Sequence, residues 1–174
     1  MHTIRTVLLI VVAVLALGTT DVFAGGFLKI EGIEGESKDE NHDKWIDVLS
    51  IDWGMERVEG RFGASRNSWR LEFNDLTVMK AADSATPSLM LKCAKGESVP
   101  EVIVDLPLSS DSGEANIRVI LYNAVITSVH IGETDAAERP SEHISINFTE
   151  VKVIYEGLGR TVEFGWDLRR GRAL

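Results

Sequence analysis

The chain has 174 residues, 44% apolar and 26% charged, with 18 Lys and Arg against 27 Asp and Glu, for a net charge of −9. This is one ordinary domain with enough apolar content for a packed core, which excludes a disordered chain. A lone cysteine, Cys93, excludes a disulfide scaffold and a zinc-finger quartet, and the acidic balance excludes general nucleic-acid binding, because phosphate backbones are repelled.

Residues 1–24 open with Arg5, continue as an unbroken apolar run from Val7 to Leu17, and end on Val22-Phe23-Ala24. Small residues at both positions read by signal peptidase predict a Sec-type signal peptide cleaved after Ala24. The run is shorter than the roughly 20 residues a membrane-spanning helix needs. The mature domain is therefore expected over 25–174, secreted or periplasmic, with no membrane association once the signal is gone. It is long enough to bury roughly 70% of its unfolded surface.

Beyond residue 25 the apolar pattern has period two. Phe27–Ile33 and Trp45–Trp53 read as strands, as do Trp69, Leu71 and Phe73 alternating with Arg70, Glu72 and Asn74. Thr86-Pro87 followed by an apolar stripe and Gly96 predicts a short helix: Thr86 as cap, Pro87 in the first turn, Leu89 and Cys93 on the buried face beside Met90 and Ala94, and Gly96 as the left-handed stop. Val102, Val104, Leu106 and Leu108 form one face of a strand whose wet face carries Asp105. Val119, Leu121, Val125, Val129 and Ile131 share one parity of a long run. Ile144, Ile146 and Phe148 alternate, then the phase shifts to Val151, Val153 and Tyr155, which reads as a bulge or bend. Val162, Phe164, Trp166 and Leu168 close the pattern. The expected fold is mainly β: a compact antiparallel β-barrel with one short α-helix on its side.

Chemistry does not show itself in the motifs. There is no Gly-x-Ser-x-Gly elbow, His-Glu-x-x-His, Cys-x-x-Cys or phosphate-binding glycine pattern. His42, His130 and His143 have no companion motif and read as surface or half-buried strand and loop residues. Asp39, Asn41, Asp43 and Asp47 begin like a calcium loop, but Lys44 stands where the sharp turn needs Gly and Ser50 where a bidentate Glu is needed. Neither catalysis, a metal nor a cofactor is expected. The segment from Glu34 to Lys44 lacks any large apolar side chain, so it is either a functional loop or a solvated connector.

The stretch Phe27 to Asp39 (FLKIEGIEGESKD), with His42, Trp45-Ile46-Asp47-Val48-Leu49-Ser50 and Trp53-Gly54, resembles the opening of the Hcp family, the hemolysin-coregulated tube proteins of bacterial type VI secretion. The segments PSLMLKCAKG (Pro87 to Gly96), Ile126 to Val129, Pro140-Ser141-Glu142 leading into Ile144–Phe148, and Phe164-Gly165-Trp166-Asp167-Leu168 resemble the family in the same order. The resemblance implies homohexameric rings that stack into a tube, with a VgrG-type spike, a sheath and effector proteins as partners. It implies a structural, non-enzymatic role. It also places contact between copies on the loop, at Glu36, Ser37, Lys38, Asp39, His42 and Trp45. The Sec signal departs from the family, whose tubes are built from cytoplasmic subunits. A second reading of the same domain is a secreted or periplasmic monomeric β-barrel that binds a small ligand or a partner protein.

Overall fold

The computed structural model describes residues 25–59, 69–110, 113–132 and 139–174. The expected signal segment lies outside the described residues. In chain order the strands are β1 (Gly26–Ile30), β2 (Ile46–Val48), β3 (Ser50–Asp52), β4 (Met55–Glu59), β5 (Trp69–Phe73) and β6 (Leu76–Ala81). Helix α1 (Thr86–Lys95) follows, then β7 (Ser98–Ser110), β8 (Gly113–Gly132), β9 (Ser141–Asn147), β10 (Glu150–Gly157), β11 (Arg160–Asp167) and β12 (Arg172–Ala173).

All pairings are antiparallel. The main sheet runs β12-β11-β10-β8-β7-β1-β2, with a branch in which β8 also pairs β9, β9 pairs β6 and β6 pairs β3. Strands β2 and β3 are one run broken at Leu49, whose N–H donates to the Met79 carbonyl at 2.8 Å. The sheet thus curls until the two ends of this run face β1 and β6, but no continuous ladder closes the seam at β2. The expected antiparallel β-barrel fold with one flanking helix is what forms, as a roll whose ladder stays open at Leu49, where the run leaves β1 and turns to β6.

Inside the roll Leu28, Ile46, Val48, Leu76, Val78, Val104, Leu121, Ile144 and Ile146 are fully buried. Each such side chain contributes roughly 1.5–3 kcal/mol relative to exposure. The phase shift read after Phe148 is real. Strand β9 pairs β8 from Val125 onward, β10 pairs the earlier half of β8, and the chain bends between them at Phe148-Thr149. The single parity expected along β8 is not kept. Asn123 takes a positive φ of 49°, and the inward residues switch from Val119 and Leu121 to Ala124 and Ile126. A bulge between Ile126 and Ser128 then switches them back, so Val129 packs against the core, while Ile131, expected with it, is 50% exposed. Val125, expected inside, is only half-buried.

Several local expectations are corrected. Among the described residues, strand β5 does not join the main sheet: it pairs β4 alone, as a two-stranded arm, and Trp69 is left 53% exposed. The arm's base is anchored where Phe73 packs against Trp53 and Phe148. Leu108 and Val162 lie where their hairpins run past the core, and both are exposed. Asp105, placed on the wet face by alternation, is buried. In the helix, Gly96 makes the left-handed stop as expected, with φ 61° and its N–H bonded to the Cys93 carbonyl. Thr86, however, is already helical. Ala85 stands at the cap position, and Asp83 Oδ1 accepts the Ala85 N–H at 2.9 Å. Leu89 is buried and Cys93 half-buried against the core, whereas Met90 and Ala94 face solvent.

Candidate assembly surface

The loop from Glu34 to Lys44 is not a loose connector. Its two limbs bond each other: Gly35 N–H to the Lys44 carbonyl at 2.8 Å, Lys44 N–H to the Ser37 carbonyl at 3.0 Å, and Ser37 N–H to the Trp45 carbonyl at 3.0 Å. Gly35 permits this closeness, since a Cβ there would lie 2.4 Å from the Trp45 carbonyl oxygen. Lys44, standing where a calcium loop has Gly, takes a positive φ of 61° and extends its ammonium to Glu34 at 3.3 Å.

His42 pins the loop to the roll. Its ring stacks on Phe27, with centroids 3.9 Å apart and an interplanar angle of 5°, and meets Trp45 edge-on at 4.9 Å. Nδ1 lies 2.7 Å from Asp39 Oδ1, and Nε2 lies 3.1 Å from Asp105 Oδ2. Asp105 also receives Arg118 Nε at 2.6 Å and a second Arg118 nitrogen at 2.7 Å, a bidentate pair, with Asn116 at 3.4 Å. Burial pushes the Asp105 carboxyl up, but the hydrogen bonds from Arg118 and His42 outweigh it and hold it below the usual range. Asp39 is held low as well, chiefly by its bond with His42.

Glu36 makes the loop's other bridge. It accepts the Ser84 N–H ahead of α1 and an Arg139 guanidinium N–H, each at 3.0 Å, and the bond from Arg139 is the main cause of its lowered pKa. Of the six residues expected to make contacts between copies, Ser37 is buried, and His42 and Trp45 are packed and partly buried. Glu36 and Asp39 are exposed but engaged. Lys38 is exposed and projects beside a cleft of about 940 Å³ that Phe27, Asp39, Leu49, Asp83 and Arg139 also line. Asp105, Arg118 and Arg139 were missed in the sequence. The available signal was a lone Asp in an otherwise apolar run, which alternation assigned to solvent.

Among the described residues, no group of three or more His, Cys, Asp or Glu side chains could hold a metal ion, and no helix is long and apolar enough to cross a membrane. The geometry defines a class: an antiparallel β-roll with one flanking helix, a braced polar loop and a projecting two-stranded arm. The family model described as "Type VI secretion system effector, Hcp" matches residues 27–155. The protein hcp1 of Pseudomonas aeruginosa is 29% identical, with 83% of this chain and 94% of that protein covered. The crystal structure of Hcp1 from Salmonella typhimurium superposes with a TM-score of 0.73 at 26% identity, covering 86% of this chain and 97% of that one. Hcp2 from the same organism gives 0.64 at 27% identity, covering 84% and 98%. The chain belongs to the Hcp family of type VI secretion proteins.

Proposed function

We propose that this chain is the structural, non-enzymatic subunit of a homohexameric ring that stacks into a tube and is exported. A VgrG-type spike, a sheath and effector proteins held in the lumen are its partners in this reading. The observation that carries it is the braced loop. A polar segment fixed to the roll through His42 and Asp105, with Lys38 left exposed, offers a rigid charged surface rather than a flexible one. A closed ring also needs two different patches on each subunit. Exposed Met55 and Trp69 on the β4–β5 arm, and exposed Leu158, Val162 and Leu174 at the β10–β12 edge, supply candidates for both.

Light scattering coupled to size exclusion tests the reading: the expected mass is that of a hexamer. A monomer at micromolar concentration overturns it and supports the binding-module alternative. Export is tested separately by N-terminal sequencing, with Gly25 expected as the first residue; an intact Met1 overturns the signal cleavage.

Lys38→Glu is expected to weaken ring stacking. On a chain of net charge −9, exposed lysines are the available counter-charges between copies. The fold should hold, because an exposed charge contributes no more than about 0.5 kcal/mol to stability. Electron microscopy at low salt reads stack length and thermal unfolding serves as the control. The difference from the parent should shrink with added salt, since screening limits such charges to roughly 8 Å at physiological ionic strength. Unchanged stacking would remove Lys38 from the contact.

A further inference from the structure

The bulge in β8 has a consequence on the outer face of the sheet. Continuing the Ile126↔Ile146 register without the shift would set Val129 opposite His143. With the shift, His130 stands directly opposite His143. His143 in turn stands directly opposite Met79 of β6. Directly paired residues of antiparallel strands project from the same face, with Cβ atoms about 4.5–5.5 Å apart. The face is the outer one, because both histidines are exposed while Glu142 and Ile144, their neighbours in β9, are buried.

The surroundings suit a soft cation. The flanking positions on the same face are Ala81, Ser141 and Gly132 on one side and Asp52, Thr77, Ser145 and Ser128 on the other. The carboxylate in these rows, Asp52, stands at the far end beyond Thr77, two strands from His143 and three from His130, so the positions next to the imidazoles are uncharged. Neither histidine has a hydrogen bond or ion pair among the described residues. Hydroxyls at the flanking positions can accept the ring N–H left over when the other nitrogen binds a metal.

We propose that His130, His143 and Met79 form a surface binding site for copper(I). Imidazole nitrogen suits several first-row ions, whereas a thioether selects the soft monovalent copper ion. Three donors satisfy copper(I), while zinc takes four ligands in a closed site. The site lies within one subunit and needs no second copy of the chain. It escapes motif reading because its donors come from three separate strands.

The test is an anaerobic titration of the full chain with copper(I) against a colorimetric chelator. One bound ion per chain at these residues is expected. His130→Asn and His143→Asn should each weaken binding at least about tenfold, a loss of roughly 1.4 kcal/mol. Met79→Leu should weaken copper(I) binding but leave zinc binding by the two histidines unchanged. Melting curves of all variants should match the parent, because the side chains lie on the outer face. In the parent, copper(I) should shift the ring-proton resonances of both histidines. Copper(I) affinity that survives both histidine substitutions overturns the site, as does a parent that binds none. Met79→Leu with unchanged copper(I) affinity overturns the thioether's role.

Discussion

Lys80→Met is expected to lower the thermal midpoint by roughly 6–20 °C, from a loss of about 3–5 kcal/mol. Lys80 is fully buried, and its ammonium donates to Glu142 Oε2 at 2.9 Å, Asp83 Oδ1 at 2.7 Å and the Ala81 carbonyl at 2.8 Å. Methionine keeps the length of the stem and removes the charge, which isolates the effect of the ion pair from packing. Glu142 would then be a buried carboxylate with only the Thr86 hydroxyl, at 2.9 Å, to offset it, and its Oε1 already has no partner. Glu142→Gln should cost less, because Lys80 retains Asp83 and the Ala81 carbonyl. The double variant Lys80→Met with Glu142→Leu should recover part of the loss, since an apolar pair of similar volume carries no desolvation penalty. Calorimetry of the parent, two singles and the double measures the coupling. A Lys80→Met single that melts with the parent would show that the buried pair does not hold β6, β9 and the start of α1 together.

Stability is expected to be level near neutrality and to fall as the pH drops through the carboxylate range. Asp105, Asp39 and Glu36 all have lowered pKa values in the folded chain. A group whose folded pKa lies below its unfolded one, about 3.9 for Asp, contributes fully above the unfolded value and loses that contribution as pH falls through the folded value. The decline should therefore begin near pH 5 and deepen below pH 4, as a rough window. Asp105→Asn should flatten this acid limb and lower the neutral plateau by about 2–3 kcal/mol, because the amide turns a donor toward Arg118 or His42 and forfeits charge-assisted bonds. Urea unfolding at a series of pH values reads both effects. An acid limb equally steep in Asp105→Asn would remove Asp105 from the titration.

The two variants probe different links. Lys80 and Glu142 tie the helix start to the sheet, whereas Asp105 ties the loop to it. Amide exchange over Glu34–Lys44 should accordingly quicken in Asp105→Asn and stay slow in Lys80→Met. This pattern would separate loop docking from global stability.

The sequence by itself determined the strand pattern, the helix with its Gly96 stop, the bend after Phe148 and the family. These depend on neighbours in the chain: alternation over a few residues, a left-handed glycine, and short segments in a fixed order. It identified the Glu34–Lys44 loop as distinctive because that stretch cannot bury apolar surface. It did not determine what the loop is fastened to. Asp105 looked like a wet-face residue because alternation reports only that a side chain is polar. The loop then folds over that face and supplies His42 as cover, stacked on Phe27 of β1, beside Arg118 from the next strand. Lys80 and Glu142 were equally hidden, since each is buried only because β6, β9 and the start of α1 converge on them. The arm was misplaced for the opposite reason. Trp69, Leu71 and Phe73 alternate like core residues, but their strand finds its partner in β4 and leaves the roll. The juxtaposition of His130 with His143 depends on a single extra residue in β8, and the position of a bulge is set by pairing with a distant strand. Local patterns fix which backbone a segment prefers. Which polar groups are covered, and by what, is decided by segments far away in sequence, and only the tertiary structure brings those together.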